Sequence, residues 1–245
     1  MTQTSVSLYL RFYRRVLIKL LGQDQGARAR SPNSVEIKQF IEAISNRHPI
    51  LGSKRVWGTM DGLKLTLQQS GRFTIQLRYY NGWTHDHYIS NLFVFAPDGT
   101  IRFYCINCPG SIHDSQVGEL SSMFQKLQSV FDKFSATLTV DSTFSSSRYP
   151  FLIKSSESAL ATTEDDFLLA TEATSMRQAS EWGMRCLQGS FPRLKERFIY
   201  EERGERALML KLIVLIYNFR VNTVGINQIR NTYMPWLEEE ATDFL

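Results

Sequence analysis

Residues 56–67, V-W-G-T-M-D-G-L-K-L-T-L, restrict the fold of this chain more than any other stretch. Leu63, Leu65 and Leu67 share one face and Lys64 and Thr66 the other, the period of 2 that belongs to an extended strand. In its middle stands Asp61, a poor strand former. Gly58 and Gly62 beside it weaken the strand further and let another backbone or a ligand come close. An acid so placed costs stability unless something cationic meets it. Taken alone, Asp61-Gly62 reads equally well as the turn that ends the strand.

The following residues supply partners for such a strand. Residues 73–80, rich in aromatics and Ile, read as a second extended segment, followed by a polar turn at 81–86. A strong strand at 87–96, a Pro97-Asp98-Gly99 turn and a strand at 100–107 complete a β-meander of three or four strands. Asp114 or Ser115 then caps one helix running to residue 134, with Val117, Leu120, Met123, Phe124, Leu127, Val130 and Phe131 on its buried face. A strand at 136–144 carries Asp141 near its end, and the Ser/Thr-rich residues 145–175 read as a long irregular connection. Helices at 176–190, with a stripe of Ala179, Trp182, Gly183, Cys186 and Leu187, and at 201–221 follow. Meander, helix, strand, loop and helices in that order imply an α/β fold, a mixed sheet with helices packed on it.

Ahead of the meander, residues 1–22 form an amphipathic helix whose Arg11, Arg14, Arg15 and Lys19 read as a solvated face, or as one that touches phosphate or a membrane surface. Residues 23–32 are a linker, and Asn33 or Ser34 caps a second helix to residue 45 with Glu36 in its first turn. The expected division is a short helical segment over 1–50, a main domain over 51–225, and a tail over 226–245 that carries Glu238-Glu239-Glu240.

A length of 245 residues suits one sizeable domain with a small appendage, and the net charge of +4 permits a nucleic-acid partner without arguing for one. Three cysteines without a secretory signal point to a reducing compartment and no disulfide framework. The longest apolar run, 207–219, contains Lys211 and is too short to span a bilayer. The expectation is an intracellular chain without a membrane partner. Cys105-x-x-Cys108 lacks a second pair for zinc and reads as buried thiols, and nothing near His85-Asp86-His87 completes a ligand set. There is no Gly-rich phosphate loop, nucleophile elbow or H-E-x-x-H.

Three acids stand where the fold does not need them: Asp61 in a strand, Asp141 near the end of another, and Glu181 off the apolar stripe of a helix. If the two strands are neighbours, both carboxylates project from one edge region and a helix across the sheet can add the third. Three converging carboxylates repel unless cations lie between them, which predicts divalent metal. Each acid also has a plainer account. Glu181 lies four residues from both Arg177 and Arg185, the spacing of surface ion pairs, and Asp141 can cap the following turn.

The local motifs, in order, are Gly58-Thr59-Met60-Asp61-Gly62, Tyr80-Asn81-Gly82-Trp83, Pro97-Asp98-Gly99-Thr100-Ile101, Pro109-Gly110-Ser111-Ile112-His113-Asp114-Ser115, Val140-Asp141-Ser142-Thr143-Phe144, and Ala179-Ser180-Glu181-Trp182-Gly183 leading to Phe191-Pro192-Arg193-Leu194-Lys195. Over residues 57–219 this set resembles the DDE superfamily endonucleases, the transposase-derived family related to the PIF/Harbinger transposases. The resemblance implies a ribonuclease H-like fold, a mixed sheet flanked by helices, and cleavage or joining of DNA phosphodiesters with Mg²⁺ or Mn²⁺. It puts the metal-binding, catalytic triad on Asp61, Asp141 and Glu181. His113 and Asp114 match a family motif and either shape the site or, for Asp114, cap a helix. Arg193 and Lys195 match a basic segment that meets the DNA backbone. It also implies nuclear residence and DNA as partner.

Two departures from the family pattern shape the expectation. The stretch before Asp61 is short, so the DNA-binding region of a complete transposase is expected to be truncated to the helices of 1–50 or absent, its task falling to a separate partner protein. After Asp141 the chain reads S-T-F-S-S-S-R-Y in place of a Gly-Tyr-like turn. The alternative function is therefore a domesticated, catalytically silent domain that binds DNA or protein.

Overall fold

The computed structural model describes residues 3–144, 148–155, 163–200 and 202–235. Helices α1 (Gln3–Leu21), α2 (Ser34–Ser45) and α3 (Pro49–Ser53) lead into β1 (Val56–Thr66). Next come α4 (Phe73–Tyr79), β2 (Tyr80–Asn81), β3 (Asp86–Phe95), β4 (Ile101–Pro109), α5 (Asp114–Leu120), α6 (Met123–Phe134) and β5 (Thr137–Val140). Last are β6 (Leu152–Lys154), α7 (Glu164–Ser190), a 3₁₀ turn (Pro192–Lys195), α8 (Arg203–Val224) and α9 (Gln228–Tyr233).

β1 runs down the middle of the sheet. It pairs antiparallel with β3, which pairs antiparallel with β4, and on its other edge it pairs parallel with β5, which pairs parallel with β6. The two-residue β2 extends the start of β3. Three antiparallel strands continued by two parallel ones, flanked by helices, make the ribonuclease H-like α/β fold that the resemblance implied. A strand with a neighbour on each edge and helices over it is buried continuously, and the first five residues of β1 are all buried. Farther along, Leu63 and Leu65 stay buried while Lys64 is exposed, as the alternation required.

The N-terminal helices join the same core: Ile37, Phe40 and Ile44 of α2 pack in one cluster with Trp57, Met60, Phe95 and Tyr217. Asn33 caps α2 in a full capping box with Glu36. Glu36 also reaches Arg102 at 3.0 Å. Arg102 is buried, pairs with Asp98 as well, and lies over the Phe40 ring at 5.0 Å, so this charge enters the core between two carboxylates.

Several elements differ from the sequence reading. Residues 73–79 are helical, because β1 and β4 already occupy both edges of β3 and leave this short apolar run only the beginning of that strand to pair with. The helix expected over 114–134 breaks at Ser122, which takes a left-handed conformation (φ 61°). The break lets Val117 on one helix and Phe124, Leu127 and Val130 on the next all bury, with Phe124 stacked 4.6 Å from the Tyr149 ring. The connection expected over 145–175 holds β6 and the first twelve residues of α7, whose N-cap Thr163 accepts from the Asp166 N–H at 3.2 Å. Three acids in that first turn suit the helix dipole. Residues 145–147, 156–162 and the Glu238-Glu239-Glu240 run lie outside the described residues.

The basic side of α1 remains exposed, and three of its charges pair with α8. Arg11 pairs with Glu202 at 3.0 Å, and Arg14 and Arg15 each reach Glu205 at 3.5 Å, so the helix docks on α8 through its charges. Leu8, Phe12, Tyr13 and Leu20 are exposed as well. α8 itself is long and apolar enough to cross a bilayer by length and composition, but Leu210, Val214, Tyr217 and Val221 are buried in the protein core, which accounts for its apolarity.

Candidate active site

The parallel pairing of β1 and β5 builds the centre of the site. Met60 lies opposite Val140, so Asp61 and Asp141 follow at the same level on neighbouring strands. Asp61 faces little solvent, and the Gly62 N–H donates to its Oδ1 at 2.7 Å. Its pKa is raised above the ordinary carboxylate value chiefly by burial; the Gly62 N–H and Arg177 oppose the shift, while the Asp141 and Asp114 charges add to it. Asp141 is the first residue after β5 rather than a strand residue, and its carbonyl accepts from the Phe144 N–H at 3.3 Å in the turn that follows.

Asp114 opens α5, but the helix cap is His113, whose Nδ1 faces Ser115. The Asp114 carboxylate is thereby left free for the site. It lies over Gly62 so closely that a Cβ at residue 62 would stand 2.6 Å from its Oδ2. Burial raises its pKa first, Lys64 and His113 lower it, and Asp141 raises it again. Gly62 therefore serves as the gap into which a second acid fits beside Asp61.

α7 brings the third element. Its buried residues Ala173, Met176, Ala179, Ser180 and Gly183 press on the sheet, and at Gly183 a Cβ would stand 2.5 Å from the Phe95 ring, so the helix lies very close to β3. Glu181 then sits on the half-exposed side. Both ion pairs suggested by its spacing form, with Arg177 at 3.3 Å and Arg185 at 4.0 Å. Arg177 also reaches Asp141 Oδ1 at 3.0 Å, so one guanidinium bridges the second and third acids. Ser180 Oγ lies 3.4 Å from Asp61 but 2.7 Å from the Arg177 carbonyl, and its single proton goes to the closer acceptor.

Asp61, Asp114 and Asp141 thus lie within electrostatic reach of one another, and Glu181 is tied in through Arg177. Among the described residues, no group of three or more His, Cys, Asp or Glu side chains is drawn tightly enough to hold an ion as it stands. The donors fit a hard divalent cation in kind, being carboxylate oxygens. Asp61, whose pKa is raised chiefly by its removal from solvent, would gain from positive charge close by. Arg177 supplies part of that charge. Sequence reasoning saw Arg177 only as a helix-surface partner of Glu181; its reach to Asp141 depends on where α7 crosses the sheet, which no local signal reports.

Arg193 lies in the 3₁₀ turn, where it pairs with Glu196 and stacks over the Phe198 ring at 5.0 Å, while Lys195 is exposed. Neither is drawn into the acidic cluster by a contact of its own.

A family model described as DDE superfamily endonuclease matches residues 60–218, well over half the chain, and the match takes in every acid above together with Arg177. No curated protein and no solved structure matches the chain.

Proposed function

The chain belongs to the DDE superfamily endonucleases, and from that premise we propose that it cleaves or joins DNA phosphodiester bonds with a divalent metal, Mg²⁺ or Mn²⁺, held by Asp61, Asp141 and Glu181. The observation that carries this reading is the parallel register of β1 and β5, which sets Asp61 beside Asp141, with Glu181 joined to Asp141 through Arg177. When bound, such ions stabilise the attacking and leaving oxygens of a phosphoryl displacement.

The chain's own residues have separable parts in this scheme. Asp61 is fixed in direction by the Gly62 N–H, which donates to its Oδ1. Asp114 adds negative charge next to it without ligating, and so strengthens the site's pull on cations. Arg177 holds Asp141 and Glu181 together, and a metal bound by these two acids would have to compete with its guanidinium. Arg193 and Lys195 meet the DNA backbone, contributing affinity but no sequence choice. The nucleophile is water or a DNA 3′ hydroxyl. Nuclear residence and a separate DNA-binding partner belong to the same proposal.

Titration of Mn²⁺ into the wild type, Asp61→Asn, Asp141→Asn and Glu181→Gln, with nicking of supercoiled plasmid on the same samples, tests it. Metal binding and nicking should both vanish in the Asp variants. Nicking by Asp61→Asn at the wild-type rate would remove the proposal.

The bridge from Arg177 to both Asp141 and Glu181 favours a second reading, a domesticated domain in which the guanidinium has taken the metal's place for good. It predicts DNA binding that weakens with salt, no uptake of Mn²⁺, and no nicking under any cation.

A further inference from the structure

We propose that Cys105 and Cys108 form a redox-active dithiol that closes reversibly into a disulfide by exchange with a small-molecule disulfide of the glutathione type. In a regular strand two residues three apart face opposite sides of the sheet. Here the pairing of β3 with β4 steps from Ser90↔Cys108 to Leu92↔Cys105, so three steps along β4 match two along β3. The extra residue is taken up in a bulge in which Asn107 adopts φ 62°, a left-handed conformation.

That conformation is held by three separate hydrogen bonds. The Asn107 N–H donates to Asn91 Oδ1 at 2.8 Å, its Nδ2 donates to the Arg203 carbonyl at 3.0 Å, and Arg206 Nε donates to its Oδ1 at 2.5 Å. The bulge turns both cysteines to one side, where their sulfurs lie 3.1 Å apart. A disulfide bond is about 2.05 Å long, so closure needs the two sulfurs to approach by about an ångström.

The surroundings prepare one sulfur as the attacking group. The Cys105 thiol is brought down to about 7, chiefly by the hydrogen bond from Cys108, with Ser121 and Lys126 assisting against burial. Cys108 is pushed up by the same bond and by burial. Both are partly exposed.

The exchange balances without any other reactant. The Cys105 thiolate attacks one sulfur of the disulfide, forming a mixed disulfide and expelling one thiolate. Cys108 then loses its proton to solvent and attacks Cys105 Sγ, expelling the second thiolate. Two protein thiols are oxidised, one external disulfide is reduced to two thiols, and excess reduced thiol reverses both steps.

The test equilibrates the native chain with a series of oxidised-to-reduced glutathione ratios, quenches with acid, blocks free thiols with a maleimide and maps tryptic peptides. Residues 103–126 carry both cysteines between cleavage points at Arg102 and Lys126, so the product is a single peptide lighter by two hydrogens and unlabelled. Cys186 should stay labelled, and Cys108→Ser should stop at a glutathione adduct on Cys105. Three labelled cysteines at the most oxidising ratio, in protein whose circular dichroism is unchanged, would overturn the proposal. So would a disulfide that runs between chains or to Cys186.

Discussion

Arg177 reaches across 36 residues of chain to Asp141, its Nη1 standing 3.0 Å from Oδ1. The same guanidinium touches Glu181. A side chain on the helix therefore supplies positive charge between the acid that follows β5 and an acid of α7.

Replacing it makes that role measurable. Arg177→Gln should destabilise the metal-free protein by about 1–3 kcal/mol, since acids that were paired would be left facing one another. Mn²⁺ should bind the variant more tightly, by about tenfold, and restore most of the lost stability. Urea melts with and without Mn²⁺ decide it. A variant as stable as the parent, with unchanged Mn²⁺ affinity, would show the bridge to be incidental.

Asp61 gives a pH signature. Its carboxyl holds a proton more tightly in the folded chain than in the unfolded one, where the value is near 3.8. Between 3.8 and the raised native value the folded state binds more protons, so the contribution of Asp61 falls as pH rises through that window. The stability of Asp61→Asn relative to wild type, measured by chemical denaturation without metal, should therefore grow as pH rises above about 4 and level off once the native carboxyl has ionised. A difference that stays flat with pH would contradict the burial of an ionised Asp61.

Gly62 and Asp114 should couple. Gly62→Ala puts a methyl 2.6 Å from the Asp114 carboxylate and should cost about 1–3 kcal/mol. In Gly62→Ala/Asp114→Ala the clash is gone, and the double change should cost less than the sum of the two single ones. Additive losses would place Asp114 elsewhere.

Gly183 sets the height of α7 above the sheet. A methyl there meets the Phe95 ring at 2.5 Å, and Gly183→Ala should lower stability by about 1–3 kcal/mol. As the helix lifts, Glu181 and Arg177 move away from Asp141, so Mn²⁺ affinity should fall although no ligand has changed. A variant that melts early but binds Mn²⁺ normally would mean that the helix tolerates the displacement.

The sequence carried much of this. Strand β1 was legible because Leu63, Leu65 and Leu67 alternate with polar residues, and the cap of α2 because Asn33 and Glu36 have the spacing of a reciprocal pair. Two elements misled for a common reason, that short segments take their structure from what is free to pair with them. Residues 73–79 look extended but find the edges of β3 almost fully taken. Residues 164–175 look irregular by their Thr and acidic content, yet these serve as the cap and first turns of α7. The ion pairs of α1 left no local signal because Glu202 and Glu205, which receive its arginines, lie some 190 residues away. For the same reason the dithiol went unseen: its geometry comes from a register shift against β3, not from the spacing of the cysteines.

The pairing of β1 with β5 also orders events during folding. The two strands meet across about 80 residues, as in the Thr59–Thr139 contact. The hairpin of β3 and β4 closes through a short turn, and β3 can join β1 before the rest of the domain is assembled. During that interval Asp61 is placed on the growing sheet, while the strand that brings Asp141 and the helix that brings Arg177 are still unpaired. A nascent chain emerging from the ribosome thus has Asp61 on its sheet before the residues that bring Asp141 and Arg177 beside it have been paired.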